Sequence, residues 1–126
     1  MLPQRAILLV EDHLYIRRML TERLAQAEYD VTAAASAEQA LELFGATSID
    51  LILTDLHLAG VSGFALASAV RKAGGRGATI PILAMTAGNP LLDHRRCHEA
   101  GITAVIAKPF SMESFTATVE RLCASR

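Results

Sequence analysis

Two kinds of apolar segment alternate along the chain. Short runs that are apolar at nearly every position predict buried β-strands, whereas longer stretches in which apolar residues recur every three or four positions predict amphipathic helices. Each predicted strand is followed by a segment of helical periodicity, so the pattern predicts five consecutive βα units. The predicted strands cover residues 6–10, 30–34, 49–54, 80–86 and 102–107.

Capping signals define the ends of several helices. Ser36 and Gln39 form a capping box that predicts the start of the second helix, and Gly45 predicts its end. Pro90 suits the first turn of the fourth helix, and Ser111 is a suitable N-cap for the fifth. The predicted helices cover residues 14–27, 37–44, 64–73, 91–100 and 112–122.

The alternation predicts an α/β fold. Short connections and right-handed crossovers arrange five βα units as a five-stranded parallel sheet with helices on both faces. This is a flavodoxin-like, doubly wound (βα)5 sandwich of three layers. A closed barrel needs eight units and about 250 residues, but the chain has 126. We therefore expect one domain over residues 1–126.

Composition and charge narrow the function classes. Apolar residues make up 52% of the chain, aromatic residues 5%, and the net charge is −1. This balance does not favour binding to nucleic acid or to a membrane surface, and no apolar run approaches the roughly 18 residues of a membrane span. Cys97 and Cys123 lack metal-ligand spacing and are predicted to be reduced thiols. We expect a cytoplasmic protein.

Chemically active residues follow four of the five predicted strands. Because the carboxyl ends of parallel strands meet at one edge of a sheet, these residues are predicted to share a pocket. Three carboxylates at that edge would repel one another, and a hard cation with oxygen ligands, above all Mg²⁺, would relieve the repulsion. The residues are Glu11 and Asp12 after the first strand, Asp55 after the third, Thr86 ending the fourth and Lys108 after the fifth.

A cation, a lysine and a hydroxyl form a set suited to phosphoryl groups. No loop of nucleotide-binding type accompanies them; the glycine-rich residues 74–77 follow a helix and are predicted to be a flexible connector. The phosphoryl group must then arrive on another carrier. Asp55, central in the sheet, is the best candidate for a nucleophile because aspartate can form an acyl phosphate.

The ordered motifs resemble the receiver domain of bacterial two-component response regulators. They are ILLVED at 7–12, LTD at 53–55 with Gly63, MTA at 85–87 and KPF at 108–110, and the resemblance covers almost the whole chain. It implies that Asp55 accepts a phosphoryl group from a phosphohistidine on a histidine kinase or a phosphotransfer protein. It implies a switch in protein interactions, not an enzyme with a separate substrate.

The resemblance also assigns roles at the predicted pocket. Thr86 and Lys108 would each contact a phosphoryl oxygen, and the bond before Pro109 would be cis. The Mg²⁺ ligands would be Asp12, Asp55, the backbone carbonyl of His57 and, through water, Glu11.

Four positions depart from the pattern or vary within the family. Val105 stands where an aromatic switch residue is usual, so the ordinary switching movement is in doubt. Ala59 stands where many receivers have proline, which predicts a less constrained loop. His57 and Gly88 occupy the two variable positions that modulate phosphoryl lifetime.

Two other functions and a second metal site agree less well with the sequence. A flavodoxin-type electron carrier shares the sheet, but Glu11 and Asp12 would repel its phosphate. A haloacid-dehalogenase-type phosphatase needs a second aspartate where His57 stands. The i, i+4 pair of His94 and His98 is interpreted as part of a solvated basic face, not as a metal site.

The context of the domain leaves three alternatives open. The chain ends soon after the predicted fifth helix, so we expect a stand-alone regulator without an output domain. Residues 74–77, 80–82 and 97–101 also resemble receivers of hybrid sensor kinases, which suggests an excised domain joined to a kinase. An interaction module that is never phosphorylated is the third alternative. By analogy the output surface comprises the fourth helix, fifth strand and fifth helix, where a phosphorylation-dependent dimer stays open.

Overall fold

The five strands form one parallel sheet in a computed structural model that describes residues 4–88 and 90–124, with backbone only for 90–92. The strand order is β2-β1-β3-β4-β5, and all four neighbouring pairs are parallel. The direction of winding reverses between β1 and β3, which is where such sheets open a crevice for ligands. The strands are β1 Ala6–Val10, β2 Asp30–Ala34, β3 Leu51–Asp55, β4 Ile82–Thr86 and β5 Ala104–Ala107.

The helices cover both faces of the sheet and create two apolar cores. One core contains Phe64 and Val70, and the other contains Leu20 and Phe115. All five positions of β3 are buried, as a central strand covered on both sides requires. The predicted α/β sandwich is therefore confirmed. Among the described residues the α-helices are α1 Leu14–Gln26, α2 Ala37–Ala46, α3 Gly63–Lys72, α4 Pro90–Ala100 and α5 Met112–Ala124.

Element boundaries differ from the prediction by one or two residues. The strands β3, β4 and β5 each begin two residues later than predicted. Helix α2 continues through Gly45 to Ala46 and ends at the extended residue Thr47, because Gly45 does not adopt a positive φ. Helix α3 begins at Gly63, where the Ser62 hydroxyl accepts a hydrogen bond from the N–H of Ala65.

The glycine-rich segment connects α3 to β4, as predicted, and it has regular structure. Residues Gly75–Ala78 form one turn of 3₁₀ helix. Gly77 is buried there, and the Arg76 guanidinium donates hydrogen bonds to the Ser48 hydroxyl at 2.7 Å and the Ile49 carbonyl at 2.8 Å. Side-chain hydrogen bonds, which composition does not reveal, fix this turn.

Asp50, which directly precedes β3, connects three parts of the fold through its carboxylate. Its Oδ2 accepts a hydrogen bond from the N–H of Ala6 at 2.8 Å, and its Oδ1 lies 3.3 Å from Arg76. The carboxylate thus joins the starts of β1 and β3 to the 3₁₀ turn. Both cysteines are free thiols, as predicted. No helix within the described ranges is long and apolar enough to cross a membrane.

Arg71 joins α3 to the segment that follows α4. Its half-buried guanidinium donates to the carbonyl of Gly101 at 2.9 and 2.7 Å and to the carbonyl of Gly77 at 3.0 Å. Gly101 has a positive φ of 87° and ends α4. One side chain therefore fixes the carboxyl end of α4 against α3.

Arg71→Met keeps most of the aliphatic stem but removes every donor to the two carbonyls. We expect the free energy of unfolding to fall by about 2–3 kcal/mol, because hydrogen bonds to a charged donor are lost and partly buried acceptors stay unpaired. Urea unfolding measures this. Lys72→Met, at the exposed neighbouring position, is the control. Equal stability of the two variants would contradict the role of Arg71.

Candidate functional site

The register of the sheet brings the chemically active residues to one edge. Val10 is paired with Thr54, so Glu11 and Asp55, one residue further on, are neighbours. Asp55 is paired with Met85, and Thr86 with Ala107. The sheet thus lines up the ends of β1, β3, β4 and β5. The predicted juxtaposition of Glu11, Asp12, Asp55, Thr86 and Lys108 along one edge is present.

Three carboxylates form a cluster at this edge. One oxygen from each of Glu11, Asp12 and Asp55 lies within 4.8 Å of the others, a spacing that suits a single metal ion. Glu11 is only 1% exposed, and its buried Oε2 has no hydrogen-bond partner among the described residues. A buried oxygen without a donor is costly unless a cation or its water compensates it. The donor set therefore fits a hard divalent cation.

Lys108 provides positive charge at the cluster. Its Nζ donates a hydrogen bond to Asp55 Oδ2 at 3.0 Å and lies 3.7 Å from Glu11 Oε2. The backbone N–H of Lys108 donates to the carbonyl of Thr86 at 2.7 Å, which fixes the start of the loop after β5. The Lys108–Pro109 peptide bond is cis, as the resemblance implied. The ammonium group therefore lies between two of the three acids.

Glu11 and Asp55 differ in their acidity because their partners differ. Burial, reinforced by the nearby Asp55 carboxylate, raises the pKa of Glu11 to about 7 despite the opposing effect of Lys108. Burial also opposes ionisation of Asp55, but hydrogen bonds from the His57 N–H and from Lys108 outweigh it and hold the pKa of Asp55 below its ordinary value. Asp55 is thus an ionised carboxylate at neutral pH, which is the state a nucleophile needs.

The loop after β3 folds back over the acids. The N–H of His57 donates to Asp55 Oδ1 at 3.0 Å, and the N–H of Ala59 donates to Asp12 Oδ2 at 2.8 Å. A proline at position 59 has no N–H and could not make the second bond. In this chain Ala59 therefore ties the loop to Asp12, although the absence of proline predicted a looser loop.

Gly63 allows α3 to begin close to Asp55. The N–H of Gly63 donates to the carbonyl of Leu56 at 3.0 Å. A Cβ atom at position 63 would overlap the carbonyl oxygen of Asp55 and lie 2.9 Å from the Cα of Leu56. Both contacts are with backbone atoms, which cannot turn aside as a flexible side chain can. The residue is required by packing against the site.

Thr86 is fully buried and has a partner that the sequence did not predict. Its hydroxyl donates a hydrogen bond to Asp93 Oδ2 on α4 at 3.2 Å and accepts one from the N–H of Gly88 at 3.0 Å. The Nε2 atom of His57 lies 3.5 Å from the same hydroxyl and 3.8 Å from Asp93 Oδ2. Sequence spacing does not identify Asp93, because the contact depends on the path of the chain between β4 and α4.

The other residues named in the sequence analysis lie outside the cluster of carboxylates. Val105 is half-buried and packs against the apolar core shared by α2, α3 and α4. His94 and His98 are exposed, as predicted for a solvated face, and belong to no metal-binding group among the described residues. Arg96, on the same helix, is also exposed, and its guanidinium carbon lies 4.0 Å from the centroid of the Phe64 ring.

Comparison with known proteins agrees with the geometry. Residues 7–120 match the response regulator receiver domain family. The chain is 33% identical over 119 residues to the probable transcriptional regulator ycf27 of Cyanidium caldarium, covering 94% of this chain and 46% of that protein. It is 29% identical over 124 residues to the sensor histidine kinase RcsC of Escherichia coli strain K12, covering 95% of this chain and 13% of that protein.

A solved structure agrees as well. The receiver domain of the sensor histidine kinase PA1611 from Pseudomonas aeruginosa PAO1, with a magnesium ion in its active-site cleft, has a TM-score of 0.87 and 31% identity. The alignment covers 96% of this chain and 98% of that one.

The doubly wound sheet and its acidic edge define an α/β domain with the pocket typical of a Mg²⁺-binding phosphoacceptor. The chain belongs to the response regulator receiver domain family. Members of this family are signalling modules of two-component systems, both in response regulators and in hybrid sensor kinases. The chain spans less than half the length of the two curated relatives named above. Because one of them is a transcriptional regulator, the expected lack of nucleic-acid contact stays a prediction.

Gly63→Ala tests the close approach of α3 to Asp55. We expect it to lower the free energy of unfolding by about 2 kcal/mol or more, because a methyl group is forced against fixed backbone atoms. Gly45→Ala in α2 is the matched control, since a Cβ there meets nothing within 4 Å. That control should gain about 0.5–1 kcal/mol from helix propensity. Urea unfolding distinguishes the two, and similar changes in both would contradict the packing argument.

The raised pKa of Glu11 predicts a pH dependence of stability. The folded protein holds a proton on Glu11 that the unfolded chain releases from the ordinary value of 4.5 upwards. The associated stability is therefore present at low pH and is lost as the pH rises through about 7. The lowered pKa of Asp55 acts in the opposite direction, but below its ordinary value of 3.8 and outside this window.

Glu11→Gln removes this titration. In metal-free buffer we expect the free energy of unfolding of the variant to rise relative to wild type by roughly 2–3 kcal/mol between pH 5 and pH 8. Urea unfolding at several pH values measures the difference. Glu99→Gln, on the exposed face of α4, should show no such trend. A constant difference between the Glu11 variant and wild type across this range would refute the assignment.

Proposed function

We propose that Asp55 accepts a phosphoryl group from the phosphohistidine of a partner and that this modification switches the protein interactions of the domain. The observation that carries the proposal is the Asp55 carboxylate at the end of β3, ionised and paired with Lys108 at 3.0 Å. It is adjacent to two further acids that suit a divalent cation.

The chemistry is an exchange of one bond to phosphorus for another. A carboxylate oxygen of Asp55 attacks the phosphorus atom, an O–P bond forms, and the N–P bond of the phosphohistidine breaks with its electron pair returning to the imidazole. The product is an acyl phosphate. The lysine already lies on Asp55, so the site holds a positive charge where negative charge accumulates.

Mg²⁺ would neutralise phosphoryl oxygens when bound. The residues that would hold it are Asp12, Asp55, the backbone carbonyl of His57 and, through water, Glu11. Two observations support this set: the mutual spacing of the three carboxylates and the buried Glu11 oxygen that has no donor among the described residues. Ionised Glu11 is favoured by such a cation, which offsets the burial that raises its pKa.

The other residues act on the product. Lys108 would pair with one phosphoryl oxygen, and the Thr86 hydroxyl would donate to another. His57, whose side chain is 55% exposed, is positioned at the mouth of the pocket and would affect the access of water and hence the phosphoryl lifetime. Gly88 has no side chain to hold a water molecule. The domain would act only in its own phosphoryl transfer and slow self-dephosphorylation, not as an enzyme with a separate substrate.

The partners proposed are a histidine kinase or histidine phosphotransfer protein as donor and a protein target as output. We propose a cytoplasmic receiver over residues 1–126. The chain is similar both to a regulator and to a small part of a sensor kinase, so a receiver joined to a kinase stays the main alternative. An unphosphorylated interaction module is the second alternative, and Val105 at the usual switch position favours it.

Incubation with acetyl phosphate and Mg²⁺ tests the proposal directly. We expect the mass of one phosphoryl group to appear at Asp55, and chelation of the metal to reduce the rate of its appearance by at least about tenfold, since charge neutralisation is lost. Intact-protein mass spectrometry followed by peptide mapping measures both.

Asp55→Asn should abolish the mass gain, whereas Asp30→Asn, at the exposed start of β2, should leave it unchanged. Equal labelling of the two variants would place the acceptor elsewhere. No labelling of the wild-type chain would favour the unphosphorylated interaction module.

A further inference from the structure

The hydroxyl of Thr86 has one proton and can donate one hydrogen bond, which it donates to Asp93. The hydroxyl donates to Asp93 Oδ2 at 3.2 Å and accepts from the Gly88 N–H at 3.0 Å, and His57 Nε2 lies 3.5 Å away. Thr86 is fully buried and the Asp93 side chain is only 16% exposed, so water does not readily replace either partner. The hydroxyl cannot donate to a phosphoryl oxygen while it donates to Asp93.

We propose that Asp93 is a positioning residue that holds the Thr86 hydroxyl before phosphorylation and releases it, together with the first turns of α4, once Asp55 carries a phosphoryl group. This inference rests on the function proposed for Asp55. It deepens that function by naming the contact through which the modified site reaches α4.

The negative charge of a phosphoryl group on Asp55 favours release of the Thr86 hydroxyl from Asp93. A phosphoryl group carries close to two negative charges at neutral pH and offers three strong acceptor oxygens. It competes with the single charge of Asp93 for the hydroxyl proton, and its charge also repels that carboxylate. Both effects favour transfer of the hydrogen bond from Asp93 to the phosphoryl group. Of the two side-chain partners of Asp93 described above, the more distant His57, at 3.8 Å, then remains.

The neighbouring contacts confine the release to the start of α4. Arg96, three residues after Asp93, lies over the Phe64 ring of α3, and Gly101 at the end of α4 is bonded to Arg71. These contacts do not involve Thr86. Val105 has no polar group that could respond to the hydroxyl and packs within the apolar core. The polar contacts from the site to α4 in the described structure therefore meet at Asp93, from the Thr86 hydroxyl at 3.2 Å and from the more distant His57 Nε2 at 3.8 Å.

Hydrogen exchange of the α4 backbone tests the inference. In wild type we expect labelling of Asp55 by acetyl phosphate and Mg²⁺ to accelerate exchange of amides 94–97 by about fivefold, the change in an opening equilibrium that loss of one hydrogen bond produces. Asp93→Ala should show the faster exchange before labelling and little further change after it. Asp93→Asn, which keeps the shape but not the charge, should change in the same direction by a smaller factor.

Two controls distinguish coupling between the phosphorylated site and α4 from a general destabilisation of the helix. Glu99→Ala removes the same charge from the same helix without touching Thr86, and it should behave as wild type. Thr86→Val lacks the hydroxyl, so its α4 should exchange at the same rate with and without the phosphoryl group. Mass spectrometry of Asp55 in the same samples reports labelling independently of exchange.

The outcomes are distinguishable. Phosphoryl labelling of Asp55 with unchanged exchange at amides 94–97 in wild type would overturn the inference and leave the proposed function standing. Identical exchange in the Asp93→Ala and Glu99→Ala chains before labelling would also overturn it. Failure of wild type to gain mass at Asp55 would overturn the proposed function and, with it, the inference.

Discussion

Lys108 lies 3.0 Å from Asp55 and 3.7 Å from Glu11, and this arrangement allows an apolar parallel sheet to end in three carboxylates. Without a positive charge, two buried acids side by side would both resist ionisation, because each would lack a counter-charge and would repel the other. The lysine gives the two acids different environments. Asp55 is ionised and held by donors, whereas Glu11 is buried and one of its oxygens accepts no hydrogen bond from the part of the chain that the structure describes. A difference in acidity between two neighbouring carboxyl groups is a common basis for different chemical roles.

The surrounding structure is organised to keep this edge in place at some cost to stability. Gly63 leaves room for the carbonyl of Asp55, and the Ala59 N–H holds Asp12. The buried Oε2 of Glu11 lies 3.7 Å from Lys108 but accepts no hydrogen bond among the described residues, and an apolar residue would avoid this cost. Proteins retain such unfavourable groups chiefly where function requires them. A divalent cation that bound at this edge would therefore add to the stability of the folded state.

Sequence periodicity predicted the sheet, its helices and the edge at which the active residues meet. It succeeded because burial on both faces leaves strands such as β1 without polar residues, and because chain order determines the winding. It failed where a single side chain decides the local structure. Arg76 orders the glycine-rich turn, and Asp50 joins two strands across the sheet. Asp93 was missed for the same reason, since its contact with Thr86 depends on loop geometry and not on a repeat.

The contact between Arg71 and Gly101 holds one end of α4, so a movement of the helix about that end displaces its other end the most. Gly101 at its far end is bonded to Arg71 of α3 through two short hydrogen bonds, while at its near end Asp93, among the described side chains, contacts Thr86 at the phosphoacceptor edge. Eleven residues at 1.5 Å each make α4 roughly 16 Å long. A rotation of about 10° around the Gly101 end would displace the first turn by roughly 3 Å, comparable to the diameter of a water molecule. A small angular change at a fixed end can thus become a change of shape on the outer surface of the domain.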